Sequence, residues 1–391
     1  LAKSNYDDNG KRWSLVLRQG SGFRTAWMTE SALDIPSLMG LGTRPGTVLV
    51  NAARSDLEPE GTPPGLRVYE VDVATGEWTR PPFEAEPDRL IFHPSSHLLI
   101  GAIHNGDEGA VYEFLDTAAA ARWAAIRRAF PGKSPALASW SDDLRQVIVH
   151  TGGEGSTGVY QLVDFARGRA DIVGETYPGV APDQVGAVEA VEYPAADGTM
   201  IHGYLTLPPV VADPKGLPLV ALPHGGPASH DNGGFDWWAQ ALASRGYAVL
   251  QPNFRGSTGY GAAFTEAGYG EWGRKMQTDV SDGVRWLAER GAIDPKRVCI
   301  VGASYGGYAA LAGVTVEQGV YRCAVSVAGV SDLRRMVVGV SRRGRRDSEA
   351  VRYWNRFMGA ERLGDRSLDE RSPAKLAARA DAPILLIHGR D

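Results

Sequence analysis

The chain has 391 residues, 43% of them hydrophobic and 22% charged, with a formal net charge of −5. That length allows two or three domains, and the acidic balance argues against nucleic acid or an anionic membrane surface as partner. No apolar run approaches the ~20 residues of a membrane span, and no Cys/His cluster has metal spacing, so neither a metal nor another cofactor is expected.

Residues 1–180 are rich in short strands and repeat themselves. Val68-Tyr69-Glu70-Val71-Asp72 recurs as Val111-Tyr112-Glu113-Phe114-Leu115-Asp116 and as Val159-Tyr160-Gln161-Leu162-Val163-Asp164, at intervals of 43 and 48 residues. Turn signals precede the strand pairs, as at Asp7-Asp8-Asn9-Gly10, His93-Pro94-Ser95-Ser96 and Ser141-Asp142-Asp143. A period in the forties built from short strands predicts β-propeller blades, about four of them at roughly 45 residues each. A β-sandwich with fortuitous repeats is the alternative. One segment breaks the pattern: Thr117 to Phe130 is Ala-rich and ends at Pro131-Gly132, which predicts a helical insertion between blades.

A connector with Pro178 and Pro182 leads to a hairpin, Val188–Tyr193 and Ile201–Leu207, turning at Ala196-Asp197-Gly198. Strands and helices then alternate. Leu217–Leu222, Ala248–Leu250, Val298–Val301, Cys323–Val327 and Ile384–Ile387 read as strands, and Phe235–Ser244 and Asp279–Arg290 as helices. This grammar predicts a mostly parallel, doubly wound sheet with helices on both faces. Cys299 reads as a small buried hydrophobe and Cys323 as the start of an apolar strand, two cysteines being too few for a disulfide framework.

The chemistry centres on Gly302-Ala303-Ser304-Tyr305-Gly306-Gly307. Four β-formers enter this Gly-x-Ser-x-Gly and a helical pattern leaves it, the context of a nucleophile elbow. Small residues on both sides of Ser304 let strand and helix pass closely while the hydroxyl stands clear of the sheet. A serine nucleophile needs a base, an orienting acid and backbone donors for the oxyanion. The N–H of Tyr305 is the first expected donor. The loop His224-Gly225-Gly226-Pro227 supplies the second, from Gly226 or its neighbour Gly225. His224 precedes the serine, against the chain order Ser, acid, His, so a structural or substrate-pocket role is preferred for it. After Ser304 the sequence holds one histidine, His388, at the end of the last strand. Asp391 is a candidate acid; Asp332 and Asp347 read as surface or structural residues.

The chain resembles the prolyl oligopeptidase family of serine peptidases, especially its acylaminoacyl-peptidase and dipeptidyl-peptidase-like bacterial branch. The resembling motifs are His224-Gly225-Gly226-Pro227, Asn253-Phe254-Arg255-Gly256-Ser257-Thr258-Gly259-Tyr260-Gly261, the Ser304 elbow, Ser372-Pro373 and Ile387-His388-Gly389, in order across about 200 residues. The resemblance implies a propeller capping an α/β-hydrolase domain: here a partial β-propeller over 1–180 and a C-terminally truncated α/β-hydrolase over 187–391. It implies Ser304 as nucleophile, Gly226 and Tyr305 as oxyanion donors, and Arg255 as a structural arginine lining the site. It places the acid four residues after the histidine of the His-Gly motif, one residue beyond Asp391, with the base further on.

Both ends read as cuts, since the chain opens on Leu1 and stops at a strand tip, so the fragment is expected to be inactive and its intact parent a peptidase. The expected substrate is a short peptide. An isopeptidase acting on lasso-type peptides, an esterase on the same fold and an inactive peptide-binding fragment are the alternatives. Glu70, Glu108 and Glu113 read equally well as propeller surface, so no carboxylate is assigned to hold a substrate amine. Arg342, Arg343, Arg345 and Arg346 form a basic run, read as a solvated loop in preference to a lid. A second copy of the chain is a candidate partner, and cytoplasm and periplasm are equally open as locations.

Overall fold

The computed structural model describes residues 1–390 except 64, 107–108, 154, 210–214 and 344–345; for residues 105, 106 and 109 it describes the backbone alone. The chain divides into two units, the first made of 1–152 and 158–176, the second of 153–157 and 177–391.

Four antiparallel sheets in series make up the first unit. The first contains β1 (Ala2–Asp7), β2 (Arg12–Gln19) and β3 (Gly22–Glu30); the second β4 (Ser37–Leu41), β5 (Thr47–Ala52), β6 (Arg67–Asp72) and β7 (Trp78–Thr79). The third contains β8 (Arg89–Phe92), β9 (Leu99–Gly106) and β10 (Gly109–Phe114). It is followed by helix α1 (Thr117–Ala129), and the fourth contains β11 (Ala136–Trp140), β12 (Gln146–Thr151), β13 (Val159–Asp164) and β14 (Arg169–Glu175). The three copies of the sequence repeat are the third strands of sheets two, three and four, β6, β10 and β13. Their closing aspartates share one task. Asp72 accepts from the N–H groups of Ala74 and Thr75, and Asp164 from those of Ala166 and Arg167, each tying the turn into the fourth strand. Asp116 does the same at the start of α1, accepting from Ala119 N–H at 2.8 Å. Helix α1 therefore stands where the neighbouring sheets have a fourth strand, and it buries Trp123, Ile126 and Phe130 with Phe114 and Val147.

Glu70 departs from its expected surface position. It is buried, and its carboxylate accepts from the N–H and hydroxyl of Thr43 and from the Thr47 hydroxyl. The turn between β4 and β5 folds over it, so its charge is spent on local donors. Glu113 is half-buried against His104 Nε2 at 2.9 Å, and Glu108 lies outside the described residues.

The second unit is built on a seven-stranded sheet. In chain order its strands are β15 (Val188–Pro194), β16 (Met200–Thr206), β17 (Leu217–Ala221), β18 (Ala248–Asn253), β19 (Ile293–Ala303), β20 (Cys323–Val327) and β21 (Ile384–Ile387). Across the sheet the order is β15-β16-β18-β17-β19-β20-β21; β15 and β16 pair antiparallel and the other five strands run parallel. Side chains of β17 alternate between two cores. Leu219 and Ala221 face α4 (Lys275–Glu289) and α5 (Tyr305–Thr315), while Val220 and Leu222 face α2 (Trp237–Ala243). A short α3 spans Ala262–Glu266, and α6 (Leu333–Arg343) and α7 (Glu349–Met358) follow β20.

Several boundaries differ from the sequence expectation. Helix α2 starts after Asp236, whose carboxylate accepts from Trp238 and Ala239 N–H and so caps it. Helix α4 starts at Lys275, which puts Asp279 inside it, fully buried. Arg342 and Arg343 close α6, Arg346 is exposed in a turn, and Arg345 lies outside the described residues. The cysteines are the clearest correction. Cys299 and Cys323 are half-buried and joined by a disulfide, because parallel β19 and β20 place them directly opposite each other with Cα atoms 4.7 Å apart.

Candidate active site

Ser304 follows β19 directly and is the N-cap of α5, with φ 56° and ψ −115°, a left-handed conformation that a side chain other than glycine adopts only when its surroundings enforce it. Three glycines supply the enforcement by removing bulk. A Cβ on Gly302 would stand 2.4 Å from the Gly306 carbonyl; on Gly306, 2.1 Å from Pro223 O; and on Gly307, 2.7 Å from Gly329 Cα. Ser304 N–H donates to Val327 O at 3.0 Å and Tyr308 N–H to Ser304 O at 3.0 Å, so both backbone groups of the residue are tied. Its side chain is left exposed. Tyr305 is buried between Phe254, Trp272 and Tyr308, which anchors the first turn of α5.

The loop after β17 lies against this elbow. A Cβ on Gly225 would stand 3.6 Å from Ser304 Cβ and 3.5 Å from Ala303 O. Gly226 is exposed with φ 122°, and its peptide bond to Pro227 is cis. Among the described residues no acceptor faces the N–H of Gly225, Gly226 or Tyr305. Tyr305 N–H is a first-turn donor of α5, where the helix carries partial positive charge. The structure thus brings Ser304, Tyr305 and the Gly225-Gly226 pair together, with open donors at a place where negative charge would be stabilised.

His224 does not reach the serine. Its ring stacks on Phe254 at 4.4 Å, Nδ1–H donates to Gly225 O at 2.7 Å, and Nε2 lies 2.8 Å from Ser257 Oγ. Burial pushes its pKa down to about 4, so the imidazole is neutral near pH 7. His388 is exposed past the end of β21, and Asp391 lies outside the described residues. Asp332 accepts from Arg335 N–H in the first turn of α6 and pairs with Lys375 at 3.4 Å; Asp347 is exposed. Among the described residues, none is hydrogen-bonded to the Ser304 hydroxyl as base or orienting acid.

Arg255 ties the neighbouring loop to the body of the unit. Its Nε and Nη2 donate to Asp279 at 2.8 and 2.7 Å, and Nη1 and Nη2 donate to Asp197 at 2.8 and 3.0 Å. Hydrogen bonds from Arg255 and Lys275 hold the Asp197 carboxyl well below the usual carboxylate range.

Two residues carry no role of their own in the sequence reading, although Asn253 opens one of the resembling motifs. Asn253, fully buried at the end of β18, holds Asp231 by both backbone groups. The Asp231 carboxyl has one buried oxygen with no partner among the described residues, and burial, reinforced by Asp236, raises its pKa to about 7. Asparagine and aspartate in a polar, glycine-rich stretch read as ordinary turn residues; burial at a strand tip is a tertiary fact.

A strand-to-helix serine elbow at the C-terminal edge of a parallel sheet, preceded by a chain of antiparallel β-sheets of three or four strands, defines a β-propeller followed by an α/β-hydrolase. Comparison with known proteins agrees. The chain superposes on a puromycin-hydrolyzing peptidase of Mycobacterium tuberculosis with a TM-score of 0.68 at 22% identity, covering 99% of this chain and 58% of that one. It superposes on the acylaminoacyl peptidase of Pyrococcus horikoshii with a TM-score of 0.68 at 16% identity, again covering 99% and 58%. In sequence it is 31% identical over 393 residues to dipeptidyl aminopeptidase BIII of Pseudoxanthomonas mexicana, covering 96% of this chain and 54% of that protein. Residues 234–391 match the prolyl oligopeptidase family. The match to the prolyl oligopeptidase family lies in the second unit, and the chain spans about half the length of the relatives it matches.

Proposed function

We propose that the full-length protein containing residues 1–391 is a serine peptidase that hydrolyses short peptides through an acyl-enzyme on Ser304. The observation that carries this reading is the exposed, left-handed Ser304 at the start of α5, beside the open N–H groups of Tyr305 and Gly226. In the first step Ser304 Oγ bonds to the scissile carbonyl carbon and gives its proton to a base, while the carbonyl oxygen takes the negative charge. The two N–H groups receive that oxyanion, a contribution of about 10²–10³ in kcat for one such donor. The C–N bond then breaks, the leaving amine takes the proton, and water releases the acyl group from Ser304 by the same steps.

Among the described residues no base or acid is assigned to Ser304. His224 is excluded as base by its engagement with Gly225 and Ser257 and by its low pKa. The relative named dipeptidyl aminopeptidase supports short peptides as the substrate class. The test uses the full-length protein, a fluorophosphonate probe and a panel of short peptide anilides. Labelling of Ser304, with turnover abolished in Ser304→Ala, is the expected result. Turnover persisting in Ser304→Ala overturns the reading, as does cleavage of p-nitrophenyl esters with no peptide amide cleaved.

A further inference from the structure

The loop from His224 to Asp231 contains no helix or strand, yet it carries the N–H groups proposed for the oxyanion. Its position must come from what holds its ends. Both ends are held by one short segment, residues 253–258, at the tip of the adjacent strand β18. At the front end, His224 stacks on Phe254 and meets Ser257 Oγ. At the far end, Asn253 Oδ1 accepts from Asp231 N–H at 2.8 Å and Asn253 Nδ2 donates to Asp231 O at 3.0 Å. Between them, Thr258 N–H donates to Ser229 O at 2.9 Å, and Thr258 Oγ1 lies 3.0 Å from His230 Nδ1.

The Asn253 contact differs in kind from the others. A side-chain amide that satisfies the N–H and the C=O of the same residue fixes that residue in position and in rotation, as a strand neighbour would. The amide is itself immobile: it is fully buried, and Nδ2 also donates to the Tyr260 hydroxyl at 2.7 Å. Four residues separate this anchor from Gly226; Pro227 is buried, and Ala228, Ser229 and His230 are exposed. Apart from Thr258, which holds Ser229 and His230, the Asn253 clamp is the hold on the loop's far end.

We propose that Asn253 is a positioning residue for the reaction: it sets the register of the 224–231 loop and thereby the aim of the Gly225-Gly226 donors at Ser304. This rests on the Ser304 reading given above. Loss of the clamp leaves the loop attached at His224 and at Thr258 but frees Asp231 to rotate. A misplacement of about 1 Å at an oxyanion donor costs on the order of 10²-fold in rate. The ground-state complex, bound largely by other contacts, is spared.

The experiment compares Asn253→Ala and Asn253→Asp with the parent in the full-length protein. It reads kcat and KM on a short peptide anilide, the Ki of the matching peptide aldehyde, and the melting temperature. The aldehyde forms a hemiacetal oxyanion on the serine, so its Ki reports the donors directly. Asn253→Ala is expected to lower kcat by about 10–100-fold with KM within threefold, and to raise Ki in proportion to the loss of kcat/KM. Asn253→Asp keeps the acceptor for Asp231 N–H and loses the donor, so an intermediate loss is expected, and it serves if the alanine variant does not fold. A kcat within twofold of the parent, in a variant still folded at the assay temperature, overturns the proposal; a lowered melting temperature alone would then mean a purely structural role. Ser304→Ala separates the two readings. If it is inactive while both Asn253 variants are fully active, this proposal alone fails; if it is active, the assignment of Ser304 fails first.

Discussion

Replacing Asp231 with asparagine is expected to stabilise the protein at pH 8 and to flatten its pH dependence between pH 4 and 7. The carboxyl sits with one oxygen buried and unpartnered. Burial and the nearby Asp236 raise its pKa from 3.8 to about 7, against a hydrogen bond from Gln251 that acts the other way. Among the described residues no cation pairs with it. Asp236 is committed to the α2 cap, and Tyr204 and Tyr260 have their own pKa values raised by burial. Because the folded pKa lies above the unfolded one, the native state keeps a proton that the unfolded chain releases from about pH 4 upward. Stability therefore falls as pH rises from about 4 to about 7 and is level above. A shift of about three units at about 1.4 kcal/mol each sets a ceiling of about 4 kcal/mol. Partial access to solvent reduces this to about 1–3 kcal/mol. Urea unfolding of the 391-residue chain at pH 5 and pH 8, followed by tryptophan fluorescence, measures it, since other titrating groups cancel between parent and Asp231→Asn. Equal pH dependence in the two proteins would refute the reasoning.

Arg255→Met is expected to cost about 3–5 kcal/mol, because it leaves Asp279 fully buried without its cation; a loss under about 1 kcal/mol in urea melts would contradict the network. Gly306→Ala should cost about 1–3 kcal/mol, since its methyl would have to displace Pro223 O, and fluorophosphonate labelling of the full-length protein should slow as the 223–226 loop moves. An unchanged melting temperature and labelling rate would rule that out. Removing the 299–323 disulfide with paired alanines should lower stability by about 2–4 kcal/mol for a loop of this length. Two free thiols in the denatured, unreduced chain would show that the bond is not formed.

Much of the fold was legible because each half obeys one rule of periodicity. The repeat at Val68, Val111 and Val159 marks equivalent third strands, and its closing aspartate does the same turn chemistry each time. The elbow was legible because a strand pattern, two glycines and a helix pattern meet within ten residues. What was hidden depends on which strands become neighbours. Nothing local to Cys299 or Cys323 reveals that β19 and β20 lie side by side, yet that adjacency alone brings the thiols together. Glu70 sits in an alternating strand where a charged side chain reads as outward, and only the fold of Thr43 and Thr47 over it makes burial tolerable. Asp279 reads as a helix start and is instead the buried partner of an arginine 24 residues earlier.

The three motifs that converge on Ser304 are scattered over some 80 residues, and the sheet order explains why they meet. The chain forms β17, moves to one side for β18, then crosses to the other side of β17 for β19. Parallel strands end at the same edge, so the loops after β17 and β18 and the elbow after β19 open side by side. A reversal of winding direction leaves a crevice between the loops that diverge there, and ligands of doubly wound sheets bind at such points. The 224–231 loop leaves the middle strand at that crevice and has no helix of its own to stiffen it before Asp236. It can lean only on the loops to either side. On one side Gly306 comes close enough to Pro223 O that no Cβ fits; on the other, Asn253, Phe254, Ser257 and Thr258 grip it. The sequence motif around Arg255 therefore faces two ways. Arg255 points into the body of the unit toward Asp197 and Asp279, and its neighbours reach outward to the 224–231 loop. A change that loosens β18 at its tip should then reach Ser304 without touching it, through the loop that lies between them.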